Sequence, residues 1–435
     1  MKTVKMKKQP VFKFKPFSKK QRKVMNWWMD SSPVKEWNGI IADGAIRSGK
    51  TVAMSLGFVF WAMKTYDGQN FIMAGKTIGS FKRNVLTNLK LMLTSRGYRW
   101  KHHLSENMLE VTRKGHTNYF YMFGGRDESS QDLVQGITAA GAFFDEVALM
   151  PESFVNQATG RCSVEGSKLW FNCNPAGPAH WFKTGWIDKC KEKGLLYLHF
   201  TMEDNLSLSE KIKARYRSMY AGVFFQRYIL GLWRAAEGLI YTMCTGRNYY
   251  TDAERPIALK SIAQKYITVD YGTTNPCVFL EVWDDGETIW IDREYRWDSR
   301  SEEARRSANP QKTDAQYADD MAEFMGAEPE DQCMIIVDPS AASFILELRN
   351  RGFYVKEADN EVLDGIRKVS TLLAMKCLKI NRKCKGLRAE MQSYVWDEKA
   401  AQRGEEKPVK QLDHGVDALR YFVNTVLPKW RTGAA

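Results

Sequence analysis

The chain has 435 residues, 44% of them hydrophobic and 26% charged, and carries a formal net charge of +13. That length exceeds one ordinary core and predicts two domains, while the excess of Lys and Arg points to a polyanionic partner, nucleic acid first; an anionic membrane surface is the alternative, but no basic amphipathic helix stands out. Apolar runs stop short of membrane-spanning length, the basic N-terminus lacks the apolar core of a secretory signal, and eight scattered cysteines with no C-x-x-C pair predict reduced thiols in a cytosolic protein.

In chain order, residues 2–23 carry Lys2, Lys5, Lys7, Lys8, Lys13, Lys15, Lys19, Lys20, Arg22 and Lys23, with Phe12, Phe14 and Phe17 interleaved. Two readings fit: a solvated, partly disordered tail, or a contact to a DNA backbone. Gln21 stands upstream of the main motif, where an amide can read an adenine edge. The motif itself spans 38–51. Gly44, Gly49, Lys50 and Thr51 complete G-x-x-x-x-G-K-[ST], with Arg47 and Ser48 inside the loop. The apolar run Ile40-Ile41-Ala42 precedes it, and Val52, Leu56, Val59, Phe60 and Met63 follow at helical spacing. Strand, glycine loop and helix is the context of a phosphate-binding loop. Glycines let backbone N–H groups converge on a phosphate, and the new helix adds its positive end. Lys50 would reach the β- and γ-phosphates, and Thr51 would place a hydroxyl on Mg²⁺.

Further strands are predicted at 70–75, 108–112 and 119–123, with a helix over 80–93 and a polar loop at 124–132. Ala142-Phe143-Phe144 is an apolar strand ending in Asp145-Glu146. After a P-loop, such a pair would hold Mg²⁺ through Asp145 and activate water through Glu146. A strand over 168–172 ends at Asn172, followed by Cys173-Asn174-Pro175. Asn172 and Asn174 either sense a γ-phosphate or form an Asn-Pro turn. A last strand is predicted over 195–201. Strands alternating with helices predict a doubly wound parallel sheet. Residues 205–233 read as amphipathic helix, a lid or linker subdomain.

From about residue 236 the pattern changes. Strands are predicted at 266–270, 277–283 and 288–295, with Asp284-Asp285-Gly286 as a hairpin turn. A helix over 315–325, a strand over 333–337 ending at Asp338, a helix from 340, a strand over 353–356, a helix from 362, a short strand over 378–381 and a helix from about 412 follow. Three antiparallel strands and then αβαβα is the order of an RNase H-like fold. Asp270 and Asp338 each end an apolar strand. Asp413 and Asp417 share one face of the last helix, and His414 lies nearly on it. Hard oxygen ligands converging from separate elements suit two Mg²⁺ or Mn²⁺ ions in phosphodiester cleavage. Asp284, Asp285, Glu287 and Glu294 instead fit a solvated hairpin.

These motifs resemble the large subunit of tailed-bacteriophage terminases, the PBSX-like group best. The resemblance covers nearly the whole chain. It rests on GAIRSGKT, GAFFDEVALMPESF, WFNCNPAGPAHWF, DNLSLSEKIKARYRSMYAGVFFQRYILGLWRAAEGLIY, VDYGTTNP, VDPSAASF and DHGVDALRY. It implies an N-terminal ATPase domain over 1–200, a helical subdomain over 201–236 and an RNase H-like nuclease over 237–435. It also implies an ATP-driven translocase for double-stranded DNA that cuts concatemers. For matching positions it implies Gln21 in an adenine motif, Lys50 and Thr51 on nucleotide and Mg²⁺, Asp145 as the magnesium-site acid and Glu146 as the base. The 172–174 segment would couple hydrolysis to movement. Asp270, Asp338 and Asp417, with His414 and Asp413 beside them, would hold the nuclease metals. The partners implied are a portal protein, a small terminase subunit and four further copies in a pentamer, in the host bacterial cytoplasm. Some relatives carry an Arg where this chain has Gln135 before Gly136, so Arg47, Arg126 and Arg161 are candidates for the arginine at the γ-phosphate. A cellular repair helicase-nuclease, or a DNA-binding assembly protein with a dead nuclease, are the competing readings.

Overall fold

A computed structural model describes residues 12–427 except 274, 307–309 and 327–332. Lys2, Lys5, Lys7 and Lys8 of the basic tail lie outside the described residues. The chain divides into two compact units: Met1–Lys213 with Gln226–Ala235, and Ala214–Phe225 with Ala236–Ala435. The stretch 201–236 is thus shared between the units. It holds the helices Glu210–Ser218 and Gly222–Phe224 and a π-helical turn Phe225–Ile229 rather than one long helix.

The first unit is built on eight strands: β1 (Gly39–Gly44), β2 (Asn70–Gly75), β3 (Arg99–His103), β4 (Met108–Arg113), β5 (His116–Gly124), β6 (Gly141–Asp145), β7 (Lys168–Asn172) and β8 (Leu195–Phe200). Their order is β3-β4-β5-β2-β6-β7-β1-β8. From β5 to β8 the pairs are parallel, and β3 and β4 add an antiparallel edge. The doubly wound parallel sheet that the pattern predicts is present and is extended at one edge by antiparallel strands, so the sheet as a whole is mixed. β3, with the sequence Arg-Trp-Lys-His-His, escapes prediction because it has no apolar periodicity. It sits at the sheet edge, where charged side chains are tolerated.

The strands carry continuous apolar runs because both faces are covered. Ile40, Phe71, Met73, Phe143 and Trp170 enter one core, under the helix Lys50–Thr65. Their neighbours Ile41, Ile72, Ala74, Phe144 and Phe171 enter the other, with Phe154 and Phe182. Phe12, Phe14 and Phe17 pack on the first core, and Arg96 lies 4.3 Å over the Phe14 ring, so this part of the tail is packed rather than solvated. The helix predicted over 80–93 contains a π-helical turn, Lys82–Leu86, between Ile78–Phe81 and Thr87–Ser95.

The second unit holds β9 (Tyr249–Tyr250), β10 (Gln264–Asp270), β11 (Cys277–Asp284), β12 (Ile289–Trp297), β13 (Met334–Val337), β14 (Val355–Glu357) and β15 (Leu378–Asn381) in the order β14-β13-β10-β11-β12-β15-β9. β10, β11 and β12 are antiparallel; β13 and β14 add in parallel on one side, β15 and β9 on the other. The run β12-β11-β10-β13-β14 is the RNase H-like arrangement. Ile267 and Val269 face a core with Tyr317 and Phe344. On the opposite face, Thr268 Oγ1 donates to the Ala418 carbonyl at 2.6 Å and Tyr266 meets Phe422, which docks the helix His414–Val426 against β10. Glu294 is not solvated as the hairpin reading expects: its side chain is 5% exposed and accepts from the Gly386 and Leu387 N–H groups, capping the helix Lys385–Ser393.

Candidate ATP site and nuclease site

The P-loop joins β1 to the helix Lys50–Thr65. Gly44 has φ 122°, and a Cβ there would overlap the Phe200 carbonyl oxygen, so only glycine fits beside β8. Arg47 also takes a left-handed backbone, φ 56°, which is uncommon for a residue with a Cβ. Two amides hold the loop in this shape. Asn205 Nδ2 donates to the Arg47 carbonyl at 2.6 Å, and Gln21 Nε2 donates to the Gly49 carbonyl at 3.2 Å. Gln21 is itself fixed by a reciprocal capping box with Ser18.

Lys50 is buried. Its ammonium group is within hydrogen-bond reach of the Gly44 carbonyl (3.0 Å), the Ala45 carbonyl (2.7 Å), Ser48 Oγ (3.3 Å) and Asn174 Oδ1 (3.1 Å). Burial lowers its pKa to about 8, against the pull of nearby acidic groups. The loop and the segment after β7 therefore meet at one cation.

At the carboxyl ends of the strands, Asp145 of β6 stands in register with Asn172 of β7. Asn172 Nδ2 donates to Asp145 and to Thr51 Oγ1 (2.9 Å), and Thr51 Oγ1 donates to Asp145 Oδ1 (3.2 Å). Burial, then the charge of Glu146, raises the Asp145 pKa to about 7; the bonds from Asn172 and Thr51 work the other way. Glu146 follows with φ 57°. A left-handed non-glycine residue costs on the order of 1–3 kcal/mol, and such strain concentrates at functional sites. Burial raises its pKa, opposed by Lys50 and Lys76. Thr51, Asp145 and Asn172 form one hard-oxygen and amide cluster beside Lys50, the donor chemistry that fits Mg²⁺ with a nucleotide. Asn205 and Lys76 are additions to the sequence reading: Asn205 lies in the motif that begins at Asp204 but has no role assigned by spacing, Lys76 belongs to no motif, and each arrives at the site through the fold.

In the second unit, Asp270 ends β10 and Asp338 follows β13, its parallel neighbour. His414 Nδ1 lies 2.8 Å from Asp270 Oδ2, and the Tyr421 hydroxyl donates to Asp270 Oδ1 at 3.3 Å. Asp338 accepts from the Ser340 N–H at 2.8 Å and from Asn360 Nδ2 at 3.3 Å, and Tyr421 helps to lower its pKa. Burial raises the Asp270 pKa to about 6, opposed by the His414 bond. At Asp338, burial works upward but the bonds from Ser340 outweigh it, and the pKa is lowered. Burial pulls the His414 pKa down, yet its bond to Asp270 prevails and raises it.

Asp417 is held differently. Arg420, one turn on and buried, places Nη2 2.9 Å from Asp417 Oδ1 and donates from Nη1 to the Asn360 carbonyl at 2.7 Å. Burial raises the Asp417 pKa despite this pairing. Asp413 is buried and caps the helix through its carbonyl, which accepts from the Asp417 N–H at 2.7 Å. Glu390 caps the same turn by accepting from the Gly415 (2.6 Å) and Val416 (3.0 Å) N–H groups. Among the described residues, no three His, Cys, Asp or Glu side chains are gathered tightly enough to cage a metal ion. Tyr421 bonds Asp270 and acts electrostatically on Asp338, and Asp417 is paired with Arg420. The set is nonetheless one of hard carboxylate oxygens, two on adjacent strand ends and one on the helix His414–Val426, the donors Mg²⁺ and Mn²⁺ take. Tyr421 and Arg420 are additions to the sequence reading, although their spacings of four and three from Asp417 put them on its helix face.

Fold and sites together define a P-loop nucleotide-binding unit joined to an RNase H-like unit. The family model described as terminase large subunit, T4likevirus-type, N-terminal, matches residues 41–244. A solved structure of the large terminase from a thermophilic bacteriophage is 57% identical, with TM-score 0.88, over 95% of this chain and 99% of that one. The same terminase in complex with ADP is 57% identical over 94% and 99% of the two chains, with TM-score 0.85. In complex with ATP-gamma-S it is 56% identical over the same shares, with TM-score 0.84. Comparison with curated proteins returned no match. The chain belongs to the large-terminase family, the DNA-packaging motor subunits of tailed bacteriophages.

Proposed function

We propose that the first unit hydrolyses ATP to move double-stranded DNA into a procapsid and that the second cleaves concatemeric DNA with two divalent metal ions. The observation that carries this is the pair of acidic strand ends: Asp145-Glu146 beside Lys50 in one sheet, and Asp270 beside Asp338 in the other. The thermophilic-phage terminase is seen with ADP and with ATP-gamma-S, which supports nucleotide binding by this chain.

In this reading Gln21 reads adenine, and Gly44, Arg47, Ser48, Gly49 and Lys50 surround the phosphates, with Arg47 acting in cis. Thr51 and Asp145 hold Mg²⁺. Glu146 accepts the proton of the attacking water, which its raised pKa favours. Asn172 and Asn174 link the γ-phosphate region to movement. Arg126 and Arg161 are the candidates for an arginine supplied to a neighbouring copy.

Asp270, Asp338 and Asp417 would hold the nuclease metals, with His414 orienting Asp270 and Asp413 contributing charge. Such ions, when bound, activate water and stabilise the leaving oxygen. The functional domains are 1–200 and 237–435, with 201–236 between them. The partners are duplex DNA, a portal protein and a small terminase subunit, with a pentamer formed on the portal in the host bacterial cytoplasm.

Paired variants test the reading. Glu146→Ala abolishes ATP turnover and keeps ATP binding; Asp338→Ala abolishes DNA cutting and keeps ATP turnover. Unaltered turnover in the first, or continued plasmid degradation with Mn²⁺ in the second, removes the corresponding role.

A further inference from the structure

Asp43 is a fully buried carboxylate one residue ahead of the P-loop glycine, and neither proposed reaction uses it. It lies in register with His199 of β8, whose Nδ1 is 3.0 Å away. Burial, then the charge of Asp43, raises the pKa of Tyr197 on the same strand. Another partner of Asp43 comes from elsewhere: Trp233 Nε1 donates to Asp43 Oδ2 at 2.8 Å.

Trp233 sits in Gln226–Ala235, ten residues of the first unit flanked on both sides by chain belonging to the second. This strap is fastened to the P-loop at three places. The Ile46 N–H donates to the Tyr228 carbonyl at 2.8 Å. Gly231, φ +73°, passes so close that a Cβ would lie 2.8 Å from the Ala45 nitrogen and 2.9 Å from His199 Cε1. Trp233 supplies the third. The strap also closes on itself, with Arg227 Nε donating to the Arg234 carbonyl at 2.8 Å and the Leu232 N–H to the Gln226 carbonyl at 3.0 Å.

The indole has a second neighbour. Its ring lies 6.0 Å from His180, and it packs on the core that contains Cys173 and Phe182. Cys173 sits between Asn172 and Asn174, the residues that bond Thr51, Asp145 and Lys50. Trp233 therefore bonds the carboxylate at the end of β1 and lies beside His180, six residues beyond Asn174 in the chain that follows β7.

We propose that Trp233 and Asp43 are positioning residues for ATP hydrolysis, through which the state of the phosphate site is transmitted into the 226–235 strap. This rests on the ATPase reading and adds a residue pair to it. A surface clasp would need no buried carboxylate, since an unpaired one is costly. Here the carboxylate links a loop that must change its hydrogen bonds on binding phosphate to a strap fastened to that loop's backbone. Coupling needs such an element, held differently in the two states of the site.

The test uses the full chain labelled with 5-fluorotryptophan. The chain has 14 tryptophans, and the ¹⁹F resonance missing from Trp233→Phe identifies this one. The expected result is that ADP and ATP-gamma-S, each with Mg²⁺, shift the Trp233 resonance to different positions. Trp233→Phe, which keeps an aromatic ring and loses the N–H, should reduce kcat about tenfold with the nucleotide Kd changed less than about twofold. Asp43→Asn, which keeps an acceptor for the indole, should retain more turnover than Asp43→Ala. A Trp233 resonance unmoved by either nucleotide, in a parent chain that hydrolyses ATP, overturns the inference and leaves the ATPase reading intact. So does parental kcat in Trp233→Phe. A parent that neither binds nor hydrolyses ATP overturns both.

Discussion

Asn172 and Asp145 stand opposite each other on adjacent parallel strands, and the Asn172 amide bonds the Asp145 carboxylate and the Thr51 hydroxyl at once. One amide thus fixes two groups proposed to hold Mg²⁺. Asn172→Ala leaves the buried Asp145 short of a donor to its charged form, and an unsatisfied buried group costs about 1–3 kcal/mol. The expected outcome is ATP turnover lowered by at least about tenfold, with the fold kept. Steady-state kinetics with circular dichroism as a control measures it; parental turnover would show that the amide is only a strand-end contact.

Lys50 gives a pH dependence with a defined sign. Burial depresses its pKa to about 8, so the free chain begins to lose the charge above that pH. A polyphosphate favours the ammonium form, so binding above pH 8 takes up a proton. Nucleotide affinity should fall as pH rises past about 8, by at most about tenfold per pH unit. Titration calorimetry at about pH 8.5, in two buffers of different ionisation enthalpy, reads the uptake directly. The same shift bears on folding: the penalty for burying charged Lys50 is full below its folded pKa and is relieved as pH rises from about 8 to about 10.5. Proton-neutral binding in that titration would contradict this account of Lys50.

Gly365 tests the support of the nuclease helix. It lies in the helix Val362–Ala374, where alanine is ordinarily the better residue by about 1 kcal/mol. Here a Cβ would overlap Arg420 Cγ and lie 2.6 Å from Cδ. Gly365→Ala should therefore destabilise the chain by about 1–3 kcal/mol, the range of core overpacking. By displacing Arg420 from Asp417 it should also lower DNA cutting more than ATP turnover. Thermal unfolding and the two activity assays check it; a raised Tm with full cutting would mean that Arg420 moves aside freely.

Much of this architecture is legible in the sequence because both sheets are covered on both faces. Runs such as Ile40-Ile41-Ala42 and Ala142-Phe143-Phe144 have to be buried throughout, and the strands 70–75, 168–172 and 378–381 fall where the pattern predicts them. What escapes has a physical reason in each case. β3 is polar because it is an edge, and β9 has only two residues, too few for a pattern. The π-helical turn at 82–86 differs from an α-helix by a shift of hydrogen-bond partner that composition does not encode. At the sites, residues in motifs can be named from spacing alone, and the structure joins Asn172 to Asp145 and His414 to Asp270. Asn205, Tyr421 and the Arg420 pairing require tertiary structure, because their partners lie in other elements or depend on a side chain's direction. Glu294 shows the reverse error: an acid placed on a solvated hairpin proves to be a buried helix cap.

Purified full-length protein and supercoiled plasmid show whether one chain holds both an ATP site and a metal-dependent nuclease site. Cutting is followed with Mn²⁺, Mg²⁺ or EDTA, beside ATP hydrolysis in the same preparation. The expected result is ATP turnover with Mg²⁺, plasmid linearisation with a divalent metal, and neither in EDTA. Hydrolysis with intact plasmid under every metal would contradict the assignment of Asp270, Asp338 and Asp417, and the absence of both activities would contradict the account as a whole.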